Sequence, residues 1–130
     1  MMDLKKPSVL LAGESISCDR QLKIRLIEHC KVIAVNKLSL AEKVPEWESV
    51  DLAALELSSG SDPELNVIKF LKRHQPLILI VVIDSDRKTE AVVRAFQFGA
   101  KDFFRKPYDP VLLGDRIEGL LRKKFAAVAN

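Results

Sequence analysis

Gly99-Ala100-Lys101-Asp102-Phe103-Phe104-Arg105-Lys106-Pro107-Tyr108 is the stretch on which the fold turns. Gly99 closes the helical pattern of Ala91, Val92, Ala95, Phe96 and Phe98, because glycine takes the left-handed conformation that ends a helix at little steric cost. Phe103-Phe104 reads as a short strand. Asp109-Pro110 then opens a new helix, with an acid to cap it and a proline where the missing N–H is no loss. Helix, strand and helix in so short a span point to a parallel sheet crossed over by helices.

The same grammar runs outward in both directions. Leu77 to Ile83 is an unbroken apolar run, as expected of a strand buried on both faces. Before it, Asp62-Pro63 repeats the acid–proline start, with Leu65, Ile68 and Leu71 as the buried stripe. Ser58-Ser59-Gly60-Ser61 has turn composition, and Leu52-Ala53-Ala54-Leu55, ending at Glu56, is the third strand. Val32-Ile33-Ala34-Val35 and Val9-Leu10-Leu11-Ala12 are the second and first. Between those two, Leu22, Leu26, Ile27 and Cys30 recur at helical spacing, with Ser17 or Asp19 as the N-cap. Leu40 to Trp47 predicts a weak helix that Pro45 shortens or distorts. Downstream, Leu113, Ile117, Leu120 and Leu121 form one face of the last helix. Five strand–helix units predict an α/β fold: a (βα)5, doubly wound, five-stranded parallel sheet with right-handed crossovers. Residues 1–7 read as an N-terminal tail, 8–124 as the domain, and 125–130 as a C-terminal tail or the start of a linker.

Composition narrows the function. A chain of 130 residues makes one domain, and 48% hydrophobic with 30% charged residues supports a buried core. No apolar run approaches the ~20 residues of a membrane span, and the N-terminus lacks the pattern of a secretory signal. Cys18 and Cys30 are too few for a disulfide framework and lack metal-site spacing, so a soluble, reducing, cytoplasmic setting is expected. The net charge of +3 is not a nucleic-acid signature. Arg116, Arg122, Lys123 and Lys124 do cluster, and a helix C-terminus that favours cations explains them better than a phosphate-binding patch does.

In a doubly wound sheet, sites lie outside the C-terminal ends of the strands. That edge holds Gly13-Glu14-Ser15, Glu56-Leu57-Ser58, Asp84-Ser85 and Arg105-Lys106-Pro107. Its three carboxylates (Glu14, Glu56, Asp84) and one lysine (Lys106) admit two readings. They form a divalent-cation site, or they are acids neutralised by one lysine and by water. No phosphate loop and no G-x-S-x-G elbow is present. His29 and His74 fall near helix C-termini, away from the strand ends. Nothing points to hydrolytic, hydride-transfer or nucleotide-driven catalysis, so no enzyme activity and no cofactor are expected.

From Ser8 to Lys124 the chain resembles the receiver domain of bacterial response regulators (CheY-like). The most specific likeness is Gly99 to Tyr108, which is similar to that family's Gly-Ala-x-x-(aromatic)-x-x-Lys-Pro-(aromatic) signature. The resemblance implies a sheet in the flavodoxin-like order 2-1-3-4-5. It also implies a pocket in which an acid pair holds Mg²⁺, an aspartate accepts a phosphoryl group, and a hydroxyl and a lysine assist. Carried over, Gly13 and Glu14 stand for the acid pair, Glu56 for the acceptor, Asp84 for the hydroxyl, Lys106 for the lysine and Phe103 for the switching aromatic.

Only Lys106 with Pro107 matches the family. Gly13 offers no ligand, leaving Glu14 and Glu56 as weak metal candidates. Glu56 is one methylene longer than aspartate, which pushes its carboxylate deeper into the pocket; a misplacement of about 1 Å can cost ~10²-fold. Asp84 as a carboxylate repels a phosphoryl group where a hydroxyl would donate, by about 4 kcal/mol at ~4 Å and an effective dielectric of ~20. The resemblance therefore implies a degenerate pseudo-receiver, a phosphorylation-independent interaction module in two-component signalling. An atypical Mg²⁺-dependent receiver, and a nucleic-acid-binding regulator acting through the basic last helix, are the alternatives. Its partner, an output domain, another protein or a second copy, is expected on the last helix pair and the strand between them: Arg87 to Gln97, Asp102 to Arg105 and Pro110 to Arg122.

Overall fold

A computed structural model describes residues 6–44, 49–84 and 89–129. Trp47 and Arg87 lie outside the described residues. Five parallel strands, β1 (Ser8–Ala12), β2 (Lys31–Val35), β3 (Leu52–Leu57), β4 (Leu79–Asp84) and β5 (Asp102–Arg105), form one sheet in the order β2-β1-β3-β4-β5. The helices are α1 (Arg20–Ile27), α2 (Asp62–His74), α3 (Thr89–Gln97) and α4 (Pro110–Ala129), with 3-10 turns at Ile16–Cys18 and Leu38–Lys43.

Every residue of β1 and β3 is buried, because both strands are flanked by strands and covered on both faces. Alternation along the strands sorts the core into two halves. Leu10, Ala53, Leu55, Ile80 and Val82 pack with Leu65, Ile68 and Leu71 of α2 and Ala95 of α3. Val9, Leu11, Ala54, Val81 and Ile83 pack with Leu22 and Leu26 of α1 and Leu113, Ile117 and Leu121 of α4. Full burial of each such leucine or isoleucine contributes about 1.5–3 kcal/mol.

Local chemistry sets the helix ends. Asp19 caps α1, its Oδ1 accepting from the Leu22 N–H at 3.0 Å, and Asp109 does the same for Val111 at 2.9 Å. Gly99, at φ +117, closes α3 in a Schellman arrangement, with Ala100 N donating to Ala95 O and Gly99 N to Phe96 O.

Four expectations shift. In α2 the N-cap is Ser61, and Asp62 is already helical. Leu77 precedes β4 and is 71% exposed, so the apolar run overstates the strand. Instead of an α-helix from Leu40, there is a 3-10 turn at Leu38–Lys43, in keeping with the barrier that Pro45 poses to a helix. Residues from Phe125 continue α4 to Ala129 rather than leaving it as a tail. Among the described residues no helix is long and apolar enough to cross a membrane.

Candidate functional site

β1 and β3 are adjacent, and their chains leave in different directions at their C-terminal ends, which opens a crevice there. Gly13, Glu14, Ser15, Glu56 and Lys106 line it together. Asp84 does not. It is wholly buried at the end of β4, in register with Leu57 and Arg105, and its carbonyl accepts from Lys106 N at 3.1 Å. Phe103 is half-buried against the α2 half of the core.

Glu56 is the centre of the site, its side chain only 7% exposed. Its carboxylate reaches into the pocket as far as the Lys106 ammonium. It turns towards β1 and lies over Gly13. Oε1 accepts from the backbone N–H groups of Ser15 at 2.9 Å and Ile16 at 3.1 Å. Oε2 accepts from the Ser15 hydroxyl and is ion-paired with the Lys106 ammonium. Lys106 Nζ also donates to Ser15 Oγ at 2.6 Å. A buried carboxylate costs little when both oxygens are matched this way.

Gly13 makes this possible. Its φ is +147, and a Cβ built there would collide with the Glu56 Cβ and carboxylate. The lost acid at position 13 and the lengthened acid at position 56 are thus two halves of one exchange: Glu56 occupies the volume that a side chain at 13 would need. Ser15, which the sequence places at this edge without a role, joins Glu56 to Lys106.

The arrangement does not suit Mg²⁺, which requires near-octahedral oxygen ligation. Gly13 has no side-chain oxygen, both oxygens of Glu56 are engaged, and of the implied ligands Glu14 alone is exposed. Burial lowers the pKa of Lys106, and the nearby Glu14 carboxylate opposes that shift.

Neighbouring groups hold the rim. Burial would raise the Glu64 carboxyl, but hydrogen bonds from the Ser58 hydroxyl and the N–H groups of Ser58, Ser59 and Gly60 outweigh it and set the pKa below the ordinary value. Tyr108 donates to Asp19 Oδ2 at 2.8 Å, tying the loop after β5 to the cap of α1. The histidines stand apart, His29 against Glu118 at 3.0 Å and His74 against the Phe70 carbonyl. Burial raises the Cys30 thiol to about 11.

No protein-family model matches the chain. It is 33% identical over 95 residues to the regulatory protein VirG of Rhizobium rhizogenes, covering 72% of this chain and 39% of that protein. To the alginate biosynthesis transcriptional regulatory protein AlgB of Pseudomonas putida it is 26% identical over 98 residues, or 71% of this chain and 22% of that one. The chain therefore spans about a fifth to two-fifths of the length of these relatives. The crystal structure of a CheY-like response regulator receiver domain protein from Methanospirillum hungatei superposes with a TM-score of 0.79 at 16% identity, over 95% of this chain and 99% of that one. Sheet order and these likenesses agree: the chain has the fold of CheY-like response regulator receiver domains and is similar in sequence to response regulators over 72% of its length.

Proposed function

We propose that this receiver serves two-component signalling without a phosphoryl cycle, as an interaction module whose Glu56–Lys106 pair fixes one surface state. One observation carries the reading: the Glu56 carboxylate is already bound on both oxygens by Lys106, Ser15 and Ile16, over a glycine where a metal-binding acid would stand. A phosphoryl donor meets no free acceptor, and the ligand set does not suit the metal that would neutralise its oxygens. The domain on this reading needs no cofactor, performs no catalysis and works in the cytoplasm. Incubation with Mg²⁺ and either acetyl phosphate or beryllofluoride is expected to give no adduct by intact-mass or fluorine NMR measurement. A stoichiometric, Mg²⁺-dependent adduct would establish the alternative, an atypical phosphorylatable receiver using Glu14, Glu56 and Lys106.

The surface presented to a partner is the α3–β5–α4 face. Val93, Phe96 and Leu112 are exposed there at 49%, 46% and 61%, beside half-buried Phe103 and Phe104. A cavity of about 670 Å³ between β5 and α4 carries both charge signs, with Asp102 paired to Arg116 and Lys123 at the rim. Mixed charge around an apolar centre suits a self-complementary contact with a second copy. Sedimentation velocity is expected to show concentration-dependent self-association that Phe96→Asp weakens at least tenfold, about 1.4 kcal/mol. A parent chain that stays monomeric throughout would assign the face to a different protein.

A further inference from the structure

We propose that the turn between β3 and α2, latched by the Glu64 carboxylate, positions the first half of α3 and so couples the Glu56 crevice to the α3–β5–α4 face. The functional consequence rests on the reading of that face as the partner surface. The coupling itself does not, and it is read on the monomer.

The latch exceeds a helix cap. Ser61-Asp62-Pro63-Glu64 has the sequence of a capping box, in which the glutamate returns to the N–H of the cap residue. Here the carboxylate passes that group by. Oε1 accepts from the N–H groups of Ser59 at 2.9 Å and Gly60 at 2.7 Å. Oε2 accepts from the Ser58 N–H at 3.0 Å and from its hydroxyl at 2.7 Å. The Ser61 N–H is left to Ser59 Oγ at 3.3 Å. Successive N–H groups turned on one point make a nest for an anion, and bonds to a charged acceptor are about twice as strong as neutral ones. The turn is thereby fixed to α2.

One side of this turn lines the crevice, where Ser58, Pro63 and Glu64 stand with Glu56. The other side bears on α3. Gly60, at φ +66, lies so close that a Cβ built on it would stand 2.6 Å from the Ala91 Cβ. One turn further along α3, Arg94 pairs with Asp62 at 2.7 Å. The two halves of α3 are held differently. Ala95 packs in the core half formed with α2 and β4, and Phe98, just past the helix end, is half-buried against the same cluster with the Lys69 ammonium 4.3 Å from its ring. Ala91 is only 6% exposed, yet among the described residues it belongs to neither half of the core; it meets the turn instead. Val93 and Phe96 ride on this helix, so a displaced turn tilts the surface that carries them. Coupling of two sites requires an element with two arrangements that both sites bias, and the turn, latched or released, is that element here.

The test is nitrogen–proton NMR with amide exchange on the whole chain at low concentration. Glu64→Ala releases the turn and is expected to shift the Val93 and Arg94 amides and speed their exchange about tenfold, while Leu22, Leu26, Ile117 and Leu121 keep the protection of the parent. Gly60→Ala presses on Ala91 with the latch intact and shifts the same α3 amides. Asn66→Ala, at an exposed position of α2, is the control and leaves α3 as in the parent. The proposal is overturned if Glu64→Ala changes only residues 58–65, if exchange rises equally in α1 and α4, if Gly60→Ala leaves α3 unmoved, or if Asn66→Ala shifts α3 as much as Glu64→Ala does. In sedimentation, Glu64→Ala is expected to weaken self-association by about threefold or more. A monomeric parent would refute the self-association reading alone, and the α3 amides would still decide the coupling.

Discussion

Replacing Gly13 by aspartate, the change that puts back the acid a phosphorylatable pocket needs, is expected to destabilise the domain by about 4 kcal/mol. Two costs add. At φ +147 any side chain is strained, which is worth about 1–3 kcal/mol. The new Cβ also meets the Cβ and carboxylate of Glu56, and overpacking of a fixed site costs about 1–3 kcal/mol. Relief is difficult, because Glu56 belongs to β3, buried along its whole length between β1 and β4. Glu56→Asp alone does not rescue the variant, since the clashing Cβ stays; Glu56→Gly removes it and recovers part of the loss. Urea midpoints of the three variants against the parent measure this. A Gly13→Asp chain as stable as the parent, and further stabilised by Mg²⁺, would show that Glu56 swings aside readily and that the pocket is closed only by default.

The same pair shows what a sequence can and cannot reveal. The five strands and the doubly wound order were legible because each strand is a short apolar run between a helix stop and a helix start. Those signals, Gly99 and Asp109 among them, act through backbone geometry within a few residues. The gathering of Gly13, Glu14, Glu56 and Lys106 was legible for a related reason, since parallel strands bring their C-terminal ends to one edge. The direction of the Glu56 side chain was not. It depends on a collision with position 13, 43 residues away in sequence, and on two N–H groups of a 3-10 turn that no local pattern announces. Asp84 was assigned to the pocket from its place at a strand end. Its register partner is Leu57 rather than Glu56, and its side chain is absent from the crevice wall. Repulsion by Asp84 therefore carries less of the case against phosphorylation than the self-occupied carboxylate does. Leu77 misled because a continuous apolar run marks burial, not where hydrogen bonding begins.

Lys106→Met should cost about 3 kcal/mol, the lower end of the range for a buried charge stripped of its partner. The lower end applies because Lys106 is itself 25% exposed, and because Ser15 and Ile16 keep their hydrogen bonds to Glu56 Oε1 when the ammonium is gone. Glu56→Gln keeps the volume and the acceptor for those N–H groups while removing the charge. Combined with Lys106→Met it should recover much of the loss, giving a coupling of about 2 kcal/mol in a double-mutant cycle. The coupling should persist in high salt, since a pair 7% exposed on one side is little screened. Loss of the ammonium also removes the tie of the loop after β5 to Glu56 and Ser15, leaving it held by Lys106 N on Asp84 O and by Tyr108 on Asp19. Amide exchange in residues 106–113 should therefore rise in Lys106→Met and remain elevated in the double variant, whose stability has recovered. Single-variant losses that simply add, to within ~0.5 kcal/mol, would mean that Glu56 and Lys106 do not act as a unit, and that something other than this pair fixes the partner-facing surface.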